Sequence, residues 1–130
     1  MLTMNILKFG IFCHKPRYWL KNIYQFFRNL KYAKQRATRG YSDPDIWNLD
    51  DYISQVIANT TEHLSNNFTG YPPEITEEIW KHVLHKISEH MNAYLHLKDI
   101  AKTKEDSILM QQEYQTALLM LQQWHMSMWD

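Results

Sequence analysis

Apolar residues return at intervals of three and four along most of this chain, the period at which side chains share one face of an α-helix. The first such run is Trp19, Ile23, Phe26, Phe27, Leu30, Ala33 and Ala37, with Arg17, Lys21, Tyr24, Arg28 and Lys31 roughly opposite. Pro16 suits a first helical turn, where its missing N–H would have no partner anyway. We therefore predict a basic amphipathic helix over 16–38, its basic character reaching residue 39. Burying six such apolar side chains at about 1.5–3 kcal/mol each gives on the order of 10 kcal/mol before conformational entropy is subtracted, so this face is expected to dock on a core. Gly40 follows the cationic last turn and can adopt the positive φ that ends a helix.

Three more helices follow from the same pattern. Ser42 or Asp43 can cap a turn with Pro44 just inside it, and Ser42 with Asp45 three residues on resembles a capping box. The next helix is predicted over 44–65, with a second start available at Asn48 and with Leu49, Tyr52, Ile53, Val56, Ile57, Thr60 and Leu64 inward. Asp45, Asp50 and Asp51 fall in first turns, where carboxylates meet the positive end of the helix dipole. Gly70 and Pro72-Pro73 make a loop. Thr76 caps a helix over 76–98 whose inward stripe is Ile79, Trp80, Val83, Leu84, Ile87, Met91, Tyr94 and Leu95. After the charged break 99–105 a last helix, 106–126, carries Met110, Tyr114, Ala117, Leu118, Leu121 and Trp124. Its aromatic tail holds Trp124 and Trp129, which either close the core or form a contact surface. The start of the chain, residues 1–15, is an apolar segment whose period does not decide between helix and strand; Ile6, Phe9 and Phe12 keep helical spacing, and the segment reads as weakly helical or irregular.

Composition agrees with this reading. With 45% hydrophobic residues, 130 residues can bury a core in one domain, and three Gly and four Pro leave little for the many turns of an all-β fold. The expected fold is all-α, a small bundle of about four helices in a single domain spanning 1–130. The apolar start is too short and too interrupted by Asn5, Lys8 and Gly10 to span a membrane. Cys13 has no second cysteine to pair with, which suits a reducing compartment.

Charge changes the picture. Formal net charge is zero, yet residues 1–40 hold nine Lys/Arg and no acid, while residues 41–130 hold five Lys/Arg against all fourteen acids. Either the basic segment meets an anion from outside (nucleic acid, nucleotide or membrane surface), or it folds onto acidic residues of its own or a neighbouring chain in a homo-oligomer. Lys31, Arg36, Arg39, Tyr41 and Trp47 gather near the first helix junction and are candidate ligand-binding residues. Lys21, Arg28, Lys31, Lys34, Arg36 and Arg39, interleaved with tyrosines, are candidates for nucleic acid, the cations holding phosphates and the rings stacking on bases.

No catalytic set emerges. There is no glycine-rich phosphate loop and no serine in a nucleophile-elbow context, and Cys13 has no activating neighbour in sequence. Glu78, His82, His85 and Glu89 repeat at helical spacing and could converge on a divalent metal ion. Their face lies opposite the Trp80/Leu84/Ile87 stripe, however, so the expectation is a solvated face with no metal and no cofactor. The two-helix Glu-to-His spacing of di-iron bundles is missing as well.

From Asn29-Leu30-Lys31-Tyr32-Ala33 through Arg36, Arg39-Gly40-Tyr41-Ser42-Asp43, Asp45 and Trp47-Asn48-Leu49-Asp50 to Gly70-Tyr71-Pro72, Thr76 and Trp80, the chain resembles a group of small proteins of tailed bacteriophages. The resemblance covers roughly residues 26–95 plus Trp129-Asp130. It implies a phage origin and action in the cytoplasm of an infected bacterium; it brings no assigned activity and hence no functional residue. The base-rich start and the His-rich third helix have no counterpart in that group. The expected function is a non-enzymatic accessory protein that binds a host protein or an anionic nucleotide, countering defence. A nucleic-acid-binding accessory and a structural or assembly component are the alternatives.

Overall fold

The computed structural model describes residues 19–128, and every regular element among them is helical. The elements are α1 (Trp19–Arg39), α2 (Asp43–Trp47), α3 (Leu49–Asn67), α4 (Glu77–Ile100) and α5 (Lys104–Trp124), closed by a 3-10 turn at His125–Ser127. The expectations for residues 1–15, for Pro16 as a helix start and for Trp129 lie outside the described residues. Among those described, no helix is long and apolar enough to cross a membrane. Packing groups the chain into two compact units that meet after Asn48 in sequence. The first contains α1 and α2; the second is built from α3, α4 and α5.

In the second unit α4 is the middle element, with α3 and α5 packed antiparallel along it. Its stripe supplies the interior: Trp80, Leu84, Ile87 and Met91 are all essentially inaccessible. Met91 and Tyr94 meet Ala58 of α3 and Ala117 of α5 in one cluster, edged by Ile57, Leu95, Met110, Tyr114 and Leu118. The helix starts where its cap lies, the Thr76 hydroxyl accepting from the Ile79 amide at 3.3 Å. In that first turn Trp80 meets Trp124 from the end of α5 edge-to-face, ring centroids 5.8 Å apart, so this tail tryptophan closes the core.

Three expectations need correction. The span 44–65 is not one helix: Asn48 leaves helical geometry at φ −122°, ψ 52°, separating the short α2 from α3. Nor is the inward face of α3 the one predicted. Leu49, Ile53 and Val56 stay 42–45% exposed, and the buried row is Ser54, Ala58, Thr61 and Ser65. These small residues recur at intervals of four, three and four and let α3 lie close against α4, where the Ser88 hydroxyl donates to the Ala58 carbonyl at 2.7 Å. Thr61 and Ser65 meet the cost of burying a hydroxyl locally, donating to the Ile57 and Glu62 carbonyls at 2.7 Å each. Close approach outweighs the burial of larger aliphatics. The last helix also begins two residues before the predicted start, because Thr103 and Asp106 form a capping box across its first turn.

The acids at the start of α3 do more than face a helix dipole. The Lys98 ammonium donates to Asp50 and to Asp51, and the Tyr94 hydroxyl donates to Asp50 at 3.2 Å, tying the start of α3 to the end of α4. These contacts, Lys98 first, hold the Asp50 carboxyl below its usual range. The orientation of α3 sets a direct expectation for stability. Ala58→Leu, which overpacks the α3–α4 contact, should destabilise the protein by about 1–3 kcal/mol. Ile53→Ala should cost about 1 kcal/mol or less, as at partly exposed positions generally. Urea titration checks both, and the reverse order would place the Leu49/Ile53/Val56 row in the core.

Candidate functional site: the α1 surface and its junction with α2

The first unit turns on Gly40. Its φ of +84° is open to glycine and strained for other residues, and its amide donates to the Arg36 carbonyl at 3.0 Å, ending α1 as its position after the cationic last turn suggests. The turn brings Asp43 and Asp45 of α2 back against the last two turns of α1. Arg36 grips Asp45 through two parallel hydrogen bonds, Nε to Oδ2 at 2.9 Å and Nη2 to Oδ1 at 2.6 Å. The same Oδ2 accepts from the backbone N–H and the hydroxyl of Ser42, each at 2.7 Å. Ser42 is fully buried and Asp45 only 6% exposed, so the carboxylate sits in a nearly closed, hydrogen-bonded cage.

The neighbouring acid is held more openly. Asp43 accepts from Gln35 Nε2 at 2.8 Å, pairs with the Arg39 guanidinium, and lies 3.8 Å from the Lys31 ammonium. Its backbone N–H donates to Gln35 Oε1 at 3.0 Å. The Gln35 hydrogen bond, followed by that of Arg39, lowers the Asp43 pKa. Arg39 also donates from Nε to the Tyr41 carbonyl at 3.1 Å and lies over the Tyr41 ring, 4.5 Å from its centroid. Of the five candidate ligand-binding residues, four are therefore gathered: Lys31, Arg36, Arg39 and Tyr41 surround two carboxylates. The fifth, Trp47, lies at the end of α2 and is 87% exposed.

The remaining cations are placed differently. Lys21, Arg28 and Lys34 are exposed, and among the described residues no carboxylate pairs with any of them. Arg28 rests near the Tyr24 ring, 5.8 Å from its centroid. The nucleic-acid candidates thus divide into three with no carboxylate partner among the described residues and three committed, wholly or in part, to Asp43 and Asp45.

The apolar face of α1 departs from expectation. Ile23, Phe26, Phe27 and Leu30 are 43–63% exposed and Leu20 is 81% exposed, whereas Asn22, Gln25, Tyr32, Gln35 and Arg36 are half-buried. The polar edge of the helix, through Gln35 and Arg36, carries the contacts with α2, and the apolar face points away from them. Phe26 and Phe27 meet edge-to-face at 5.7 Å on that surface. Assigning these residues to a core concealed their candidacy as a contact surface. The signal that could have shown it was the position of Gln35 and Arg36, off the apolar arc and eight and nine residues before Asp43 and Asp45.

In the second unit the metal candidates do not converge. Glu78 and His82 are exposed, His85 Nδ1 is 2.8 Å from Glu62 across the α3–α4 contact, and Glu89 pairs with Lys86 at 2.8 Å. Among the described residues no cluster of three His, Cys, Asp or Glu could hold a metal ion. A shallow depression of about 440 Å³ lies beside the His85–Glu62 pair, lined also by Asn59, Ser88, Glu89 and Asn92. Its two carboxylates make it a poor receptor for an anionic nucleotide. The chain matches no protein-family model, no curated protein and no solved structure.

The Asp45 cage should be visible in pH dependence. Arg36 above all, and then the Ser42 donors, hold the Asp45 pKa far below its ordinary value of 3.8. A carboxyl depressed in the folded state stabilises above its unfolded pKa, and that contribution is lost as pH falls from about 4 toward the folded value. Exchange of the Ser42 amide hydrogen should be slow at neutral pH and its protection should weaken below about pH 4. Asp45→Asn should weaken it at neutral pH by about 1–3 kcal/mol and flatten the acid dependence. Equal protection in both proteins would remove the cage as the tie between α1 and α2.

Proposed function

We propose that this chain is a non-enzymatic accessory protein of a tailed phage that docks on a component of the infected bacterium through α1, and that this docking serves to counter host defence. The observation that carries the reading is the inverted use of α1, polar edge packed and apolar face open. An exposed apolar face flanked by cations is a form that contact surfaces take. The phage origin rests on the resemblance of residues 26–95, and action in the host cytoplasm follows from that origin.

Between the two kinds of target, an extended surface is favoured over a small anionic nucleotide. The residues suited to a phosphate, Arg36 and Arg39, already hold Asp45 and Asp43, and a nucleotide would have to displace a two-bond Arg–carboxylate pair. A second reading, nucleic acid, is favoured by Lys21, Arg28 and Lys34, three cations with no carboxylate partner among the described residues. It requires retention that falls steeply with salt.

A photo-crosslinking residue at position 27 should give a defined adduct in the host bacterium, and the same residue at exposed position 112 of α5 should not. Calorimetry with cyclic and linear nucleotides should show no saturable heat. Nucleotide binding abolished by Arg39→Ala, or adducts formed equally from both positions, would overturn α1 as the docking element.

A further inference from the structure

We propose that the surface α1 docks on is the anionic face of a lipid bilayer, α1 lying in the interface with Leu20, Ile23, Phe26, Phe27 and Leu30 among the acyl chains. The proposal rests on the reading of α1 as the docking element and names its partner. A helix lies in a membrane interface when a wide apolar face with aromatic and aliphatic side chains stands opposite a cationic polar face and its overall hydrophobicity is too low to span. α1 has each of these properties over 21 residues, with no acid in its sequence. Lys21 and Arg28 lie on the side away from Ile23, Phe26 and Leu30, so both can reach headgroup phosphates while the apolar face is immersed. From Leu20 to Leu30 the apolar face is about 15 Å long at 1.5 Å per residue, and an interfacial helix sinks only about 5–10 Å.

Charge selects this occupant over a second copy of the chain. Residues 1–48 hold nine Lys/Arg against two acids and residues 49–130 hold five against twelve, net charges of +7 and −7. Two copies of α1 paired through their apolar faces would cover the rings and aliphatic side chains but leave the cations of both helices without an acid, since neither helix carries one. The acidic unit is a poor complement, because many of its carboxylates are engaged: Asp50 and Asp51 by Lys98, Glu62 by His85, Glu89 by Lys86, Glu113 by His90, and Asp106 by its helix cap. A phosphatidylglycerol surface supplies both unpaired anions and an apolar phase. Net repulsion of the acidic unit by the same lipids favours α1 as the part that touches them.

The test is flotation of the full-length protein with vesicles of phosphatidylcholine alone and of phosphatidylcholine mixed with phosphatidylglycerol. Retention should require the anionic lipid and should fall as salt rises, since the Debye length shortens from about 10 Å at 0.1 M to about 3 Å at 1 M. Phe27→Glu should reduce it by about tenfold or more, and Lys21→Gln by about fivefold. Gln112→Ala, at an exposed position of α5, should leave it unchanged. Circular dichroism checks that Phe27→Glu remains helical, and Leu20→Ser provides a milder second variant. Absence of retention on anionic vesicles, or retention indifferent to Phe27→Glu, would overturn the proposal. If Phe27→Glu instead turns an oligomer into a monomer by light scattering and vesicles are not bound, the lipid proposal fails and α1 survives as a contact surface for a second copy. If that variant changes neither vesicle binding, mass nor crosslinking from a photo-crosslinking residue at position 23, the broader reading fails as well.

Discussion

The carboxylate of Asp45 determines how the first unit can be used. Four donors converge on it: two from Arg36, and the amide and hydroxyl of Ser42. A paired, nearly buried carboxylate is costly to expose half-satisfied, so α2 is held against the side of α1 that carries Arg36. That side is the polar edge. The apolar face is consequently turned outward, and the positive φ of Gly40 is the backbone condition that lets the chain reverse tightly enough for the contact to form. A local electrostatic tie thus governs which surface of the longest basic element remains for a partner.

Much of the fold was legible in the sequence because helices announce themselves through period and caps. The α4 stripe from Trp80 to Tyr94, its Thr76 cap and the Gly40 stop are where spacing and side-chain chemistry put them, while Ile79, expected inward, is 48% exposed. The inward face of α3 was not legible, because two rows compete on that helix. Leu49, Ile53 and Val56 are the more hydrophobic row, but Ser54, Ala58, Thr61 and Ser65 permit closer packing, and hydropathy does not measure closeness. The start of α5 was obscured for a related reason: Thr103 and Asp106 form a cap inside a charged stretch that reads as a break.

The candidate site was only half legible. Residues 31–41 were singled out for their cations, and the structure does bring Lys31, Arg36, Arg39 and Tyr41 together, around two carboxylates of the same unit. Spacings of nine residues between Arg36 and Asp45, and of four between Arg39 and Asp43, acquire meaning only once the Gly40 turn is known. Amphipathicity could reveal an apolar face on α1 but could not say what covers it. The proposed docking surface therefore lies away from the junction, whose charges are occupied, at Leu20–Leu30 with Lys21 and Arg28, which pair with no carboxylate among the described residues. The second unit supports that shift, since its acids serve caps and helix-to-helix ties and its histidines assemble no metal site among the described residues.

The orientation of α1 on a surface can be read residue by residue. Nitroxide labels placed singly along 21–31 in a Cys13→Ser background, with the protein on vesicles containing phosphatidylglycerol, report collision rates with oxygen and with a water-soluble nickel chelate. Oxygen accessibility should peak at positions 23, 26, 27 and 30 and fall at 21 and 28, following the 3.6-residue period of the helix. A flat profile, or a peak at 21 and 28, would contradict the claim that the Asp45 tie leaves the apolar face of α1 free to enter a lipid surface.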